Sequence, residues 1–171
     1  DARERAAHRD TCVLANHLSQ HTAEANARVA AWVSQIAGRV SELSALDAAR
    51  RFLSVVQLDT AERMEDVREE GDAERLAFCE DLAAQHRDDA ERLDTRWMAA
   101  LEELRDLQTK DPIRSHRALL AMLETQVGPE AIPARVRKPI EVVEGARRSL
   151  PETVALFEEM DKRFRRFSCA G

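Results

Sequence analysis

Between Leu76 and Leu107 the apolar residues fall in two interleaved rows. Leu76, Ala83, Ala90, Trp97 and Leu104 lie seven residues apart, and Cys79, His86, Leu93, Ala100 and Leu107 repeat that spacing three residues on. This is a heptad a/d seam, and it predicts a helix packed lengthwise against another helix. An earlier stretch carries the same pattern, with Ala15, Thr22, Val29, Ile36 and Leu43 interleaved with Leu18, Ala25, Trp32 and Leu46. Its frame is offset from the later one. The 33 residues from Leu46 to Cys79 amount to three eleven-residue repeats, along which a weaker stripe passes through Leu53, Val56, Thr60, Met64, Val67 and Gly71. An eleven-residue repeat relaxes the left-handed supercoil, so the middle is expected to run nearly straight.

All five prolines lie at or after Pro112, and the preceding residues hold only two glycines, Gly38 and Gly71. Proline costs a helix interior about 3 kcal/mol, so this stretch permits nearly continuous helix. Two places could interrupt it. Ser44 with Asp47 resembles an imperfect capping box, and Gly71-Asp72 reads as a C′ glycine followed by an N-cap, the favoured breakpoint. Unbroken, the helix would make a rod of about 150 Å.

After the rod the period changes. Asp111-Pro112 predicts the start of a helix bearing Leu119, Leu120, Leu123 and Val127, stopped at Gly128-Pro129. A second short helix would carry Val136, Ile140, Val143 and Leu150. Ser149-Leu150-Pro151-Glu152 reads as a capping box that opens a third, with Val154, Phe157, Met160, Phe164 and Phe167 on its apolar face. Each of these amphipathic helices needs an apolar surface to cover. Phe52, Val55, Leu58, Leu82 and Leu101 lie off the main seam and are the expected cover. The expected fold is therefore all-α: a long coiled-coil rod over residues 1–110, interrupted near Gly71 if anywhere, then a tail over 111–171 of three short helices folding back on it.

A seam this long needs a partner of similar length. It could be a parallel homodimer, an intramolecular hairpin turning at Ser44–Asp47 or Gly71, or an antiparallel homodimer centred near Glu62–Met64. The order of heptads, hendecads and heptads is symmetric about that centre, which favours the antiparallel dimer. Its seam would be made by the large residues of both rows, with Met64 at the middle and Trp32 within about a turn of Leu93 and Trp97 of the second copy.

Composition adds charge to this picture. The chain has 171 residues with a formal net charge of -6 and no Tyr. Residues 113–171 hold 11 Lys/Arg and 8 Asp/Glu, a net of +3, which leaves -9 on the first 112. An acidic rod and a mildly basic tail would attract each other. Arg135, Arg137 and Lys138, then Lys162, Arg163, Arg165 and Arg166 interleaved with phenylalanines, form a candidate patch for an anionic partner. A net of +3 is small for nucleic acid. A helix whose terminal cations favour its dipole, with the phenylalanines turned inward, accounts for the same residues. An anionic lipid surface is the remaining candidate for the patch.

Candidate chemistry is sparse. Cys12, Cys79 and Cys169 are few and widely spaced, which suggests a reducing, cytoplasmic setting rather than a disulfide framework. No apolar run reaches membrane-span length. The chain begins at Asp1, as an excised piece of a longer protein would. His17 and His21, one turn apart with Glu24 a turn further, could share a metal but have no third fixed ligand, so a solvated face explains them. His86, at a d position, could fix register or act as a pH sensor, but a partly exposed or water-bonded histidine is the favoured reading. Cys79 at d reads as a small buried hydrophobe. No phosphate loop, activated nucleophile or metal cluster is present, so neither catalysis nor a cofactor is expected.

The stretches Thr60-Ala61-Glu62-Arg63-Met64 through Glu74-Arg75-Leu76, Leu101-Glu102-Glu103-Leu104 and Asp111-Pro112-Ile113 resemble the long helix and first turn of the central coiled coil of tripartite-motif proteins. The resemblance covers about residues 10–125 and does not include that family's RING or B-box zinc modules. It implies a non-enzymatic dimerisation scaffold that spaces the flanking domains of a ubiquitin ligase or adaptor. Its partners would be a second copy and, through flanking domains or the tail groove, other proteins. The alternative is a monomeric helical-bundle binding domain of a cytoskeletal, tethering or membrane-associated protein.

Overall fold

The structure, a computed structural model, describes residues 1–169. Its secondary structure is helical, with no strand among those residues. Four α-helices follow one another: α1 (Ala2–Glu70), α2 (Ala73–Thr109), α3 (Arg114–Val127) and α4 (Ala134–Cys169), the last preceded by a 3-10 turn at Pro129–Ala131.

α1 runs unbroken past Ser44, whose hydroxyl donates back to the Val40 carbonyl at 2.9 Å instead of capping a new helix. It ends at Gly71. That residue has φ 74°, and its N–H bonds to the carbonyls of Val67 and Arg68 at 3.1 and 3.2 Å. A left-handed residue after a helix is cheap only for glycine. Asp72 then starts α2, accepting the Arg75 N–H on Oδ1 at 3.1 Å in the manner of an N-cap.

The tail departs from expectation in three ways. Asp111 does not cap α3. Its Oδ1 takes the N–H of Ile113, the residue that precedes the helix, at 3.2 Å, and its Oδ2 pairs with Arg117 at 2.9 Å. α3 does stop at Gly128, which has φ 80°. The two helices expected on either side of Pro151 are one helix, α4, with Pro139 and Pro151 inside it. Ser149 Oγ bonds to the Ala146 carbonyl at 3.2 Å rather than opening a new helix. Each proline removes one ladder bond, while burial of Val136, Pro139, Val143, Leu150, Val154 and Phe157 along α4 favours continuity. Finally, Phe52, Val55 and Leu58 are not covered by the tail: they remain 71%, 64% and 56% exposed. Leu101 is buried and Leu82 half-buried.

The chain packs as two units. Unit 1 comprises Asp1–Ile36 with Leu107–Pro151, and unit 2 comprises Ala37–Asp106 with the chain from Glu152 onward. In unit 1, Leu120, Ile132 and Val136 form a core against which Leu18, Leu123 and Ile140 pack. Trp32 is buried there, and its indole N–H donates to the Leu107 carbonyl at 3.0 Å. Arg117 pairs with Glu144 at 2.6 Å, and Arg137 with Glu124 at 2.9 Å.

In unit 2 the turn at Gly71 brings α2 back along α1. Arg39 pairs with Glu103 at 2.7 Å, and Arg96 with Glu42 at 3.9 Å. Leu43, Leu46, Trp97, Leu101 and Leu104 are buried in this unit, with Val154 and Phe157 from α4. Trp97 and Phe157 meet edge to face, ring centroids 6.1 Å apart, the geometry aromatic quadrupoles favour.

Candidate interaction surfaces

Three features of the units go beyond core packing. The first is Arg50, which is 3% exposed in unit 2. Its guanidinium carbon lies 3.8 Å from the Trp97 ring centroid and 4.1 Å from that of Phe164. Nη1 donates to Asp161 Oδ1 at 2.9 Å, and Nη2 stands 3.8 Å from Asp47 Oδ1. A cation buried between two aromatic faces and beside two carboxylates is a structural clamp across α1, α2 and α4. Arg165 closes the same cluster, bonded to Asp161 at 3.0 Å and Asp94 at 2.8 Å. The hydrogen bond to Asp161, then the two acids' charges, hold its guanidinium above its usual range despite partial burial. In the cleft beside these residues, about 430 Å³, Arg165 and Asp94 of the lining are paired with each other.

The second feature is an apolar surface on unit 2. Phe52, Val55 and Leu58 stand three residues apart on α1, so they share one helix face. A groove of about 350 Å³ lies between that face and α4, lined by Val55, Leu58, Phe164 and Phe167 and rimmed by Arg51 and Arg163. Phe167 is 74% exposed. Scattered single hydrophobics on a surface need no explanation, whereas three on one helix face beside an apolar groove make a candidate contact surface.

The third is a histidine pair in unit 1. His21 Nδ1 lies 3.1 Å from His116 Nδ1, and the rings stack with centroids 5.3 Å apart. His116 is 1% exposed, and its Nε2–H donates to the Val136 carbonyl at 2.7 Å. That bond leaves His116 Nδ1 bare in the neutral ring, so His21 Nδ1–H is the donor in the neutral pair. Burial, and next the His116 ring, push the His21 pKa down. Glu24 opposes them, while His17 and Arg28 add to the decrease. The His17 and His21 rings are 6.2 Å apart and tilted, so the residue that meets His21 head on is His116, from α3. Among the described residues no group of three or more His, Cys, Asp or Glu could hold a metal.

The expected seam is distributed between the units. Val29, Trp32 and Leu107 are buried in unit 1, where Leu18 and Ile36 are half-buried. Leu43, Leu46, His86, Trp97 and Leu104 are buried in unit 2, where Met64, Leu76, Cys79 and Leu93 are half-buried. Of the expected tail-packing residues, Val143, Val154 and Phe157 are buried, and Leu119, Leu123, Ile140 and Phe164 half-buried. The basic residues do not make one patch. Arg135, Arg137 and Lys138 belong to unit 1 and Lys162, Arg163, Arg165 and Arg166 to unit 2. Arg137, Arg163 and Arg165 are engaged by Glu124, Glu159, Asp161 and Asp94. Cys12 is exposed and Cys79 half-buried, both free, and the side chain of Cys169 lies outside the described part. No helix among the described residues is long and apolar enough to cross a membrane.

Arg50 and His116 are both within reach of sequence reasoning. Arg50 continues the row Val29, Ile36, Leu43 by another seven residues, and His116 stands four before Leu120 on the apolar face of α3. A charged or polar residue in an apolar row points to a buried, partnered side chain. Comparison with known proteins adds no relative: no family model, curated protein or solved structure matches this chain.

Proposed function

We propose that the chain is a non-enzymatic helical assembly module that joins two copies of itself and so sets the spacing of whatever is attached to its ends. The exposed stripe Phe52–Val55–Leu58 carries this reading. Three large side chains on one helix face remain 71%, 64% and 56% exposed in the single chain. Covering them would stabilise an assembly by up to about 1.5–3 kcal/mol per side chain. The role is of the kind the tripartite-motif resemblance implies, a dimerising adaptor, and the few, scattered cysteines fit a cytoplasmic setting.

The surface differs from the seam expected to join the copies. Leu43, Leu46, Trp97 and Leu104 are filled within one chain, which favours assembly through the outer face of α1. The same observation supports a second reading, a monomeric bundle whose groove takes a different protein. Light scattering on the chain over a wide concentration range separates the two. The assembly reading predicts a mass that rises from 19.3 kDa toward twice that value. A mass that stays at 19.3 kDa at every concentration contradicts it and leaves the monomeric bundle.

A further inference from the structure

We infer that two copies pair antiparallel along the outer face of α1, about a two-fold axis that passes beside Val55. The inference rests on the assembly reading and names its surface. In such a pair, residues equally far from Val55 in opposite directions face each other. Val55 meets itself and Phe52 meets Leu58 of the second copy. Arg51 then stands opposite Asp59, and Ala48 opposite Glu62. Next to the axis large apolar residues thus meet apolar ones and a cation meets an anion; further out Glu62 meets the small Ala48, and no like charges are opposed among these positions.

The geometry permits this pairing. At 100° per residue, Arg51 and Asp59 fall about 40° to either side of Val55, and Phe52 and Leu58 about 60°. All five point into the same hemisphere, so both kinds of pair can close across one helix–helix interface. The face is free in the single chain: Ala48, Phe52, Val55, Leu58 and Glu62 are exposed. The Arg51 and Asp59 side chains are 64% and 56% exposed. Each already pairs along its own helix, with Asp47 and Arg63 respectively, at 3.1 Å. The Asp59–Arg63 pair, with both side chains more than half exposed, is weak and can be exchanged for a bond across an interface, and Arg51 meets Asp47 through Nε, which leaves its two outer nitrogens for a partner.

A face that complements its own reverse is the signature of an isologous contact, in which both copies use the same patch. An unrelated helix would need this alternation by coincidence, whereas a second copy supplies it by symmetry. The groove beside the stripe, with Phe167 on its rim, gives apolar area next to the helix pair. A contact of a few helical turns is smaller than a standard interface of about 800 Å² per partner, so the dimer should depend on concentration.

The test is sedimentation equilibrium on the wild-type chain and on Phe52→Asp, Arg51→Glu, Asp59→Arg and the double variant Arg51→Glu/Asp59→Arg. Far-ultraviolet circular dichroism checks that each remains helical. Phe52→Asp should weaken dimerisation at least about thirtyfold. Each single charge change should weaken it about tenfold, and the double variant should return to within about threefold of wild type. A wild-type dimer indifferent to Phe52→Asp overturns the inference and leaves assembly through another surface standing. A double variant no tighter than the singles overturns the register about Val55. A wild-type chain that is monomeric throughout overturns both the inference and the assembly reading.

Discussion

Arg50 and Trp97 are stacked, the guanidinium carbon 3.8 Å from the ring centroid. Arg50 lies on α1, Trp97 on α2, and the Phe164 and Asp161 that complete the clamp lie on α4. One buried cation therefore holds three helices of unit 2 together. Arg50→Ala leaves the carboxylates of Asp47 and Asp161, 10% and 16% exposed, without that cation. The expected loss is about 3–5 kcal/mol, the range for breaking a buried pair by removing one partner. Chemical denaturation followed by circular dichroism reads it. Arg63→Ala, which breaks a pair with both side chains more than half exposed, should cost less than about 0.5 kcal/mol. Equal losses for the two variants would contradict the clamp.

Gly71 and Gly38 should respond with opposite signs. A Cβ meets nothing within 4 Å at either position, so backbone conformation alone decides. At Gly71 φ is 74°, and alanine there should cost about 1–2 kcal/mol. Gly38 sits inside α1, and alanine there should stabilise by about 0.5–1 kcal/mol. Thermal melts of the two single variants check both signs.

The pH dependence of unit 1 should carry the mark of His21. Its folded-state pKa is lowered, chiefly by burial and then by His116. The unfolded chain therefore binds more protons as pH falls below the ordinary histidine value of about 6.5. The stabilisation is fully present above that value and is lost as pH falls through the lower, folded-state pKa. Melting midpoints taken from pH 7.5 down to pH 5 should fall more steeply for wild type than for His21→Phe. Parallel slopes would rule out this role.

Much of the architecture is legible in the residues themselves, for reasons that can be named. The proline-free run before Pro112 and its 3-4 spacing imply long helices. Gly71-Asp72 marks a turn because glycine reaches positive φ cheaply and aspartate caps the next helix. The partner of the seam is not legible. A heptad row states that a helix is covered along one face, and it reads the same whether the cover is another chain or the same chain turned back. Leu43 and Leu104 fit both cases equally. Pro151 misleads for a different reason: a proline after Ser149-Leu150 is a good helix start, yet burial of Leu150, Val154 and Phe157 on one face carries α4 through it. The surface stripe is visible as Phe52, Val55 and Leu58, but its exposure depends on where α4 lies, which local pattern does not specify.

The two-fold at Val55 is tested most directly by thiol cross-linking. In a chain whose three cysteines are replaced by serine, Val55→Cys places one thiol beside the proposed axis, and Phe78→Cys places one at a similarly open site, 69% exposed in the native residue, off the stripe. With a short bis-maleimide, at concentrations where the chain is dimeric, Val55→Cys should give a covalent dimer rapidly and Phe78→Cys should not. Equal rates for the two variants, or no cross-linked dimer from Val55→Cys, would contradict a two-fold axis beside Val55.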